Sequence, residues 1–104
     1  MRTGSTAVMI LRLLVDKPMY GYQIVKELQT RSEGYFDLEQ GTLYPALHRL
    51  EKENLVRSEW QVVEDGPSRK YYYITDEGRL ELENSARKWS DFSRHLLNLL
   101  DGIA

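Results

Sequence analysis

The sequence predicts a mainly α-helical fold with one small β-hairpin, followed by a long C-terminal helix. Three observations carry this expectation. Between residues 3 and 55, apolar residues recur in successive segments at the i, i+3, i+4 spacing that lines one face of a helix. After Leu55 the period changes from 3.6 to 2, the signature of strands. From Leu82 onward, large apolar residues return every seven positions, as they do in helices that pack along their length against another helix.

The 104 residues suffice for one modest core and not for a two-domain enzyme. The expected division is 1–75 for the mixed helix-hairpin unit and 76–104 for the terminal helix. The formal net charge of -2 speaks against a binder that relies on overall basicity, although binding depends on the local field of one face. The chain has no cysteine, which excludes disulfides and thiolate metal sites. His48 and His95 are too far apart in sequence to form a metal motif. No Ser/His/Asp set and no Gly-rich phosphate loop is visible. Neither an enzyme nor a cofactor is therefore expected.

Thr3 to Ser5 offers capping side chains, and Ala7 to Val15 follows as a helix with apolar residues in nearly every direction. A helix of this kind must be covered on several sides. A second subunit could provide that cover, and so could a central position in a monomer. At about half the length of a membrane span, interrupted by Arg12 and followed by no cleavage site, the run is expected to be a helix of the domain and not an anchor or a leader. The expected location is the cytoplasm, with no membrane partner.

Pro18 stops this helix. Ile24, Val25 and Leu28 form the apolar face of a second helix, drawn from the segment beginning at Met19 and running to about Arg31. Ser32, Glu33 and Gly34 make a turn, and Tyr35, Phe36 and Leu38 lead toward the third helix. That helix has two possible starts. Asp37 with Gln40 fits a capping box, but it would place Pro45 deep in the helix, where its ring clashes with the carbonyl of Gly41. A start at Gln40 to Thr42 is favoured, with Asn54 as the left-handed terminator.

At about 100° per residue, this third helix divides into two faces. Leu43, Ala46, Leu47 and Leu50 face a core, while Gly41, Pro45, His48 and Lys52 lie opposite, with Thr42, Tyr44 and Arg49 beside them. The outer face begins small and becomes basic and hydrogen-bonding. Val56 to Val62 then alternates as a strand, Glu64 to Ser68 turns, and Arg69 to Ile74 forms the returning strand. Tyr71, Tyr72 and Tyr73 point to alternate faces and cannot make one stacking platform. Three helices followed by a hairpin is the order of a winged helix-turn-helix, which lays its third helix in a DNA groove.

Thr75 caps the last helix, with Asp76 and Glu77 at the positive end of its dipole. This helix is expected from about Asp76 to Leu100. Leu82, Trp89, Leu96 and Ile103 form one seam, with Ala86, Phe92, Leu99 and Leu100 filling it, and Glu83 with Arg87 forms an i,i+4 pair outside.

Three words in order, MYGYQI (Met19 to Ile24), GTLYPALHRLEKENLV (Gly41 to Val56) and GPSRKYYYITDEG (Gly66 to Gly78), resemble the PadR family of bacterial transcriptional regulators. The resemblance covers nearly the whole chain, and its length matches the short subclass with a single C-terminal dimerisation helix. It implies a homodimer on a palindromic double-stranded DNA operator, repression of a nearby gene, and release by a small molecule. Gln40, Thr42, Tyr44, Pro45, His48, Arg49 and Lys52 would then face the major groove, and Arg69 and Lys70 would meet phosphate or the minor groove. Two departures weaken the positive field: Glu39 stands where a small capping residue is common, and Pro67-Ser68 replaces a further basic residue of the wing. Trp89 could offer a planar hydrophobic effector a flat surface at the dimer seam, or simply pack there with Leu82, Ala86 and Phe92. The competing function is a winged-helix module for protein assembly that binds no DNA.

Overall fold

The computed structural model describes residues 4–62 and 64–103. Thr3, one of the expected capping residues, lies outside them. The element order is α1 (Ser5–Asp16), β1 (Met19–Tyr20), α2 (Gly21–Arg31), α3 (Gln40–Lys52), β2 (Val56–Gln61), β3 (Arg69–Ile74) and α4 (Asp76–Leu99). The hairpin is as expected, but it is part of a three-stranded antiparallel sheet in the order β1-β3-β2. Met19 and Tyr20, expected to lead into the second helix, instead pair with Tyr72 and Tyr71.

The core lies where α1, α2 and α3 meet one face of the sheet. Ile10, Leu11, Met19, Ile24, Leu43, Leu47 and Val56 are its fully buried side chains. The apolar run of α1 is covered largely by its own chain, since α1 packs against α2, α3, α4 and β3. Its all-round apolarity is thus mostly that of a central core helix. What remains uncovered is a groove where Val8, Met9 and Leu13 meet Leu28 and Phe36. Asp16 ties the end of α1 to α2, accepting from Arg31 at 2.5 Å and from Arg12 at 3.1 Å.

The turn before α3 follows from its side chains. Glu33 and Gly34 have φ of 53° and 82°. Ser32 Oγ accepts from the Phe36 amide at 2.9 Å. Gln29 Nε2 donates to the Asp37 carboxylate at 2.7 Å, and Asp37 lies two residues before Glu39, the residue at the N-cap. The helix starts at Gln40, the later of the two expected starts, yet Pro45 still lies inside it as its sixth residue and has no amide to offer the Gly41 carbonyl. Asn54 then takes φ 63° and ends it.

Thr75 Oγ1 caps α4 by accepting from the Gly78 amide at 2.9 Å, while it donates to the Asn54 carbonyl at 2.7 Å. One side chain therefore fixes the end of the α3 segment to the start of α4. The first half of α4 packs against α1 and buries Gly78 and Ser85, with Leu82 half-buried on the core. Beyond Trp89 the helix carries Phe92, Leu96, Leu97, Leu99 and Leu100 exposed, with Ile103 exposed just past its end. Arg87 donates to Asn84 Oδ1 at 2.5 Å rather than pairing with Glu83. No helix among the described residues is long and apolar enough to cross a membrane.

Candidate nucleic-acid interface

The outward ridge of α3 is open. Gln40, Gly41, Thr42, Pro45, His48, Arg49 and Lys52 are all exposed, while Leu43, Leu47 and Leu50 are buried behind them. A β-carbon on Gly41 would meet nothing within 4 Å, so the ridge is low at its N-terminal end. His48 and Lys52 follow about two and three turns later, on the same side. A helix anchored by its Leu face and bare on a small-then-basic face can enter a groove about 12 Å wide without disturbing its own core.

The two flanks of this ridge differ. On one flank, Arg49 lines a cleft with Ala46, Glu53 and Leu55, together with Gly4 to Ala7 of the N-terminal segment and Glu81 of α4. Its guanidinium shares that cleft with two carboxylates, so its charge reaches outward with a weakened field. On the other flank, Tyr44 leans back onto Gly21 at the start of α2, and its side chain remains 46% exposed. Glu51, two turns further along this flank, turns toward the hairpin, where it accepts a hydrogen bond from Ser58 Oγ.

The hairpin presents two different faces. Toward α3 stand Ser58, Tyr72, Trp60 and Lys70, opposite one another in register. Lys70 Nζ lies 3.8 Å from Glu51 Oε1, 5.7 Å from the Tyr72 ring centre and 6.0 Å from that of Trp60. Burial, with the charge of Glu51 nearby, pushes the Tyr72 hydroxyl above its usual range. On the other face, Arg69 stacks over Tyr20 at 4.5 Å and Arg57 over Tyr73 at 4.1 Å, with Tyr20 and Tyr71 edge to face at 5.4 Å. Stacking on Tyr20 restricts Arg69 before any partner arrives. A cleft of about 420 Å³ separates helix from hairpin, lined by Tyr20, Gly21, Tyr44, Trp60, Arg69 and Lys70 among others.

The expected site residues thus fall into one surface of two parts, the α3 ridge and the near end of the hairpin. Trp60, Ser58 and Glu51 belong to the same surface and were not expected there. Alternation placed Trp60 and Ser58 on one side of a strand, and nothing in a period-2 pattern says whether that side meets core or cleft. Among the described residues no group of three or more His, Asp or Glu is placed to hold a metal ion.

The α4 residues fall into a second surface. Trp89 and Phe92 stand edge to face at 5.8 Å. The Trp89 indole Nε1 is buried with no hydrogen-bond partner among the described residues. Of the expected seam, Leu82 is taken up by the chain's own core, Ala86 is exposed, and the residues from Phe92 onward are uncovered.

A family model described as the transcriptional regulator PadR-like family matches residues 10–84. The transcriptional regulator Rv3488 of Mycobacterium tuberculosis (strain ATCC 25618 / H37Rv) is 36% identical over 88 residues, which span 85% of this chain and 78% of that protein. A PadR family transcription regulator from Clostridium difficile R20291 has a similar structure, with a TM-score of 0.80 at 36% identity over 93% of this chain and 99% of that one. Bacillus subtilis PadR, solved in complex with operator DNA, shares the fold with a TM-score of 0.72 at 23% identity, over 79% of this chain and 46% of that one.

Proposed function

The chain belongs to the PadR-like family of transcriptional regulators, and from that premise we propose that it binds a palindromic double-stranded DNA operator as a homodimer, represses a neighbouring gene, and is released by a small planar hydrophobic effector. It is a regulator and not an enzyme. The observation that carries the DNA-binding reading is the α3 ridge: Gln40, Thr42, Pro45, His48, Arg49 and Lys52 are exposed together on the face opposite buried Leu43, Leu47 and Leu50. Arg69, held over Tyr20 at the loop end of the hairpin, is the first phosphate contact in this reading, and Lys70 is the second. The related Bacillus subtilis PadR was solved with operator DNA, which favours the same use of the shared fold here.

One copy of this surface is weakly charged, because Glu39, Glu51 and Glu53 stand beside the cations. Two copies bind far better than one when held about one helical turn of DNA apart. The exposed apolar residues of α4 supply the means. Covering Phe92, Leu96, Leu99, Leu100 and Ile103 with a second copy of the helix stabilises the pair by roughly 1.5–3 kcal/mol for each side chain fully buried. Trp89 and Ala86 lie where two such helices would meet. An effector or a partner residue with an acceptor atom would satisfy the unpartnered Trp89 Nε1, and the indole face suits a planar apolar ligand.

The test is an electrophoretic shift with the DNA upstream of the protein's own gene, over a series of salt concentrations. Binding should weaken steeply as salt rises, because phosphate contacts release counterions. The exposed apolar end of α4 also suits an assembly module that binds no DNA. That reading gains if a folded dimer gives no shift at low salt. Quenching of tryptophan fluorescence by planar aromatic compounds, lost on replacing Trp89, tests the effector.

A further inference from the structure

A single carboxylate joins the third helix to both strands of the wing. Glu51 Oε2 accepts from Ser58 Oγ on β2, and Glu51 Oε1 faces Lys70 Nζ on β3 at 3.8 Å. Ser58 and Lys70 lie on the same face of the hairpin, Ser58 opposite Tyr72 and Lys70 opposite Trp60. Both contacts therefore pull that face toward α3. The root of the hairpin is also held by buried Val56 and Tyr72 and by the pairing of β3 with β1, whereas its far end beyond Trp60 and Arg69 is exposed. The angle between ridge and wing decides whether both can reach one DNA segment, so a contact that helps hold it matters for binding.

The same carboxylate also holds one of the few cations of the wing. Lys70 Nζ is surrounded by Glu51, the Tyr72 ring and the Trp60 ring, and it borders the cleft between helix and hairpin. Both side chains of the pair are about one-third exposed, 36% for Lys70 and 34% for Glu51. A half-open pair at 3.8 Å is weak and exchanges readily for a better anion. A phosphate entering the cleft is such an anion.

We propose that Glu51 is a positioning residue for DNA binding, bracing the wing on α3 through Ser58 and holding the Lys70 ammonium until a DNA phosphate takes its place. This rests on the DNA-binding reading above. Glu51→Gln separates the two roles. The amide carbonyl still accepts from Ser58 Oγ, so the brace stays, but the charge that holds Lys70 is gone. Glu51→Ala removes both.

The experiment measures binding of the dimer to its upstream DNA by fluorescence anisotropy across a salt series, with amide hydrogen exchange on the free protein. Glu51→Gln should bind more tightly at low salt, because Lys70 no longer leaves a carboxylate to meet the phosphate. The slope of log affinity against log salt should stay that of the wild type, since the same phosphate contact forms in both. Lys70→Met alone should flatten the slope by about 0.9 per protomer, the loss of one phosphate contact, and in that background Glu51→Gln should bring no gain in affinity. Glu51→Ala should speed amide exchange at Ser58 and Tyr72, whereas Glu51→Gln should not. Unchanged affinity of folded Glu51→Gln overturns the hold on Lys70, as does a gain of the same size that persists in Lys70→Met. Unchanged wing exchange in Glu51→Ala overturns the brace. Failure of the wild-type protein to bind this DNA at low salt overturns the DNA-binding reading itself, and the release of Lys70 with it.

Discussion

The hydroxyl end of Tyr44 occupies the space that a β-carbon on Gly21 would need. A β-carbon built at Gly21 stands 2.9 Å from Tyr44 Cζ and closer still to the hydroxyl oxygen. The first residue of α2 thereby sets the direction of a side chain on the exposed flank of α3.

Gly21→Ala should separate binding from stability. Alanine favours a helix over glycine by roughly 0.5–1 kcal/mol. The Tyr44 ring, 46% exposed, has solvent to swing into. Thermal unfolding should therefore move by only a few degrees, while operator affinity falls by about fivefold to tenfold, the loss of one contact of about 1 kcal/mol. A variant that melts normally and binds normally would show that the direction of Tyr44 is immaterial.

Gly78→Ala should do the reverse. Here the β-carbon would run into the Leu55 carbonyl and stand 2.8 Å from Ile74 Cγ1. That carbonyl is itself held by the Thr75 amide at 3.1 Å. Backbone cannot give way as a half-exposed ring can, so chemical denaturation should report a loss of about 1–3 kcal/mol or more. Stability equal to that of the wild type would mean that α4 can slide off Leu55 at no cost.

Acid should weaken the join between α1 and α2. The Arg31 guanidinium, with Arg12 beside it, holds the Asp16 carboxyl below its ordinary value of 3.8. A carboxyl depressed in the folded state stabilises it above the unfolded pKa, and that stabilisation fades as pH falls through the lower folded value. Asp16→Asn should thus be less stable than wild type near neutrality, by a small amount because the group is exposed. The gap should close below about pH 3.8. A gap that stays constant down to the acid limit would exclude the linkage.

The fold was largely legible from periodicity, because α3, the hairpin and α4 each present a long enough pattern to count. Asn54 marked the end of α3 by backbone chemistry that holds in any context, whereas Pro45 lies inside the helix and marks no limit. The strand Met19–Tyr20 was not legible, since two residues show no period and its partner strand begins at residue 69, far along the chain. Ser85 reads as a polar surface residue, yet it is buried one heptad after Gly78, where α4 lies closest to the rest of the domain. Of the interface, the α3 ridge could be read from the helical wheel. Glu51 and its ties to Ser58 and Lys70 could not, because they depend on how the hairpin folds back across α3.

Leu96→Glu should give a folded monomer. Leu96 is already 40% exposed within one chain, so a carboxylate there leaves the domain's own core intact. In a dimer seam the same charge would be buried without a partner, at a cost of several kcal/mol. Circular dichroism should be unchanged while light scattering reports half the mass. A stable dimer would move the seam elsewhere.

The central claim is that two copies, joined through α4, read DNA together. Footprinting of the upstream DNA with wild type and Leu96→Glu tests it most directly. The wild type should protect two symmetric segments centred about one helical turn apart, and folded Leu96→Glu should lose both at the same concentration. Equal protection by the monomeric variant, or no protection by a folded wild-type dimer at low salt, would contradict it.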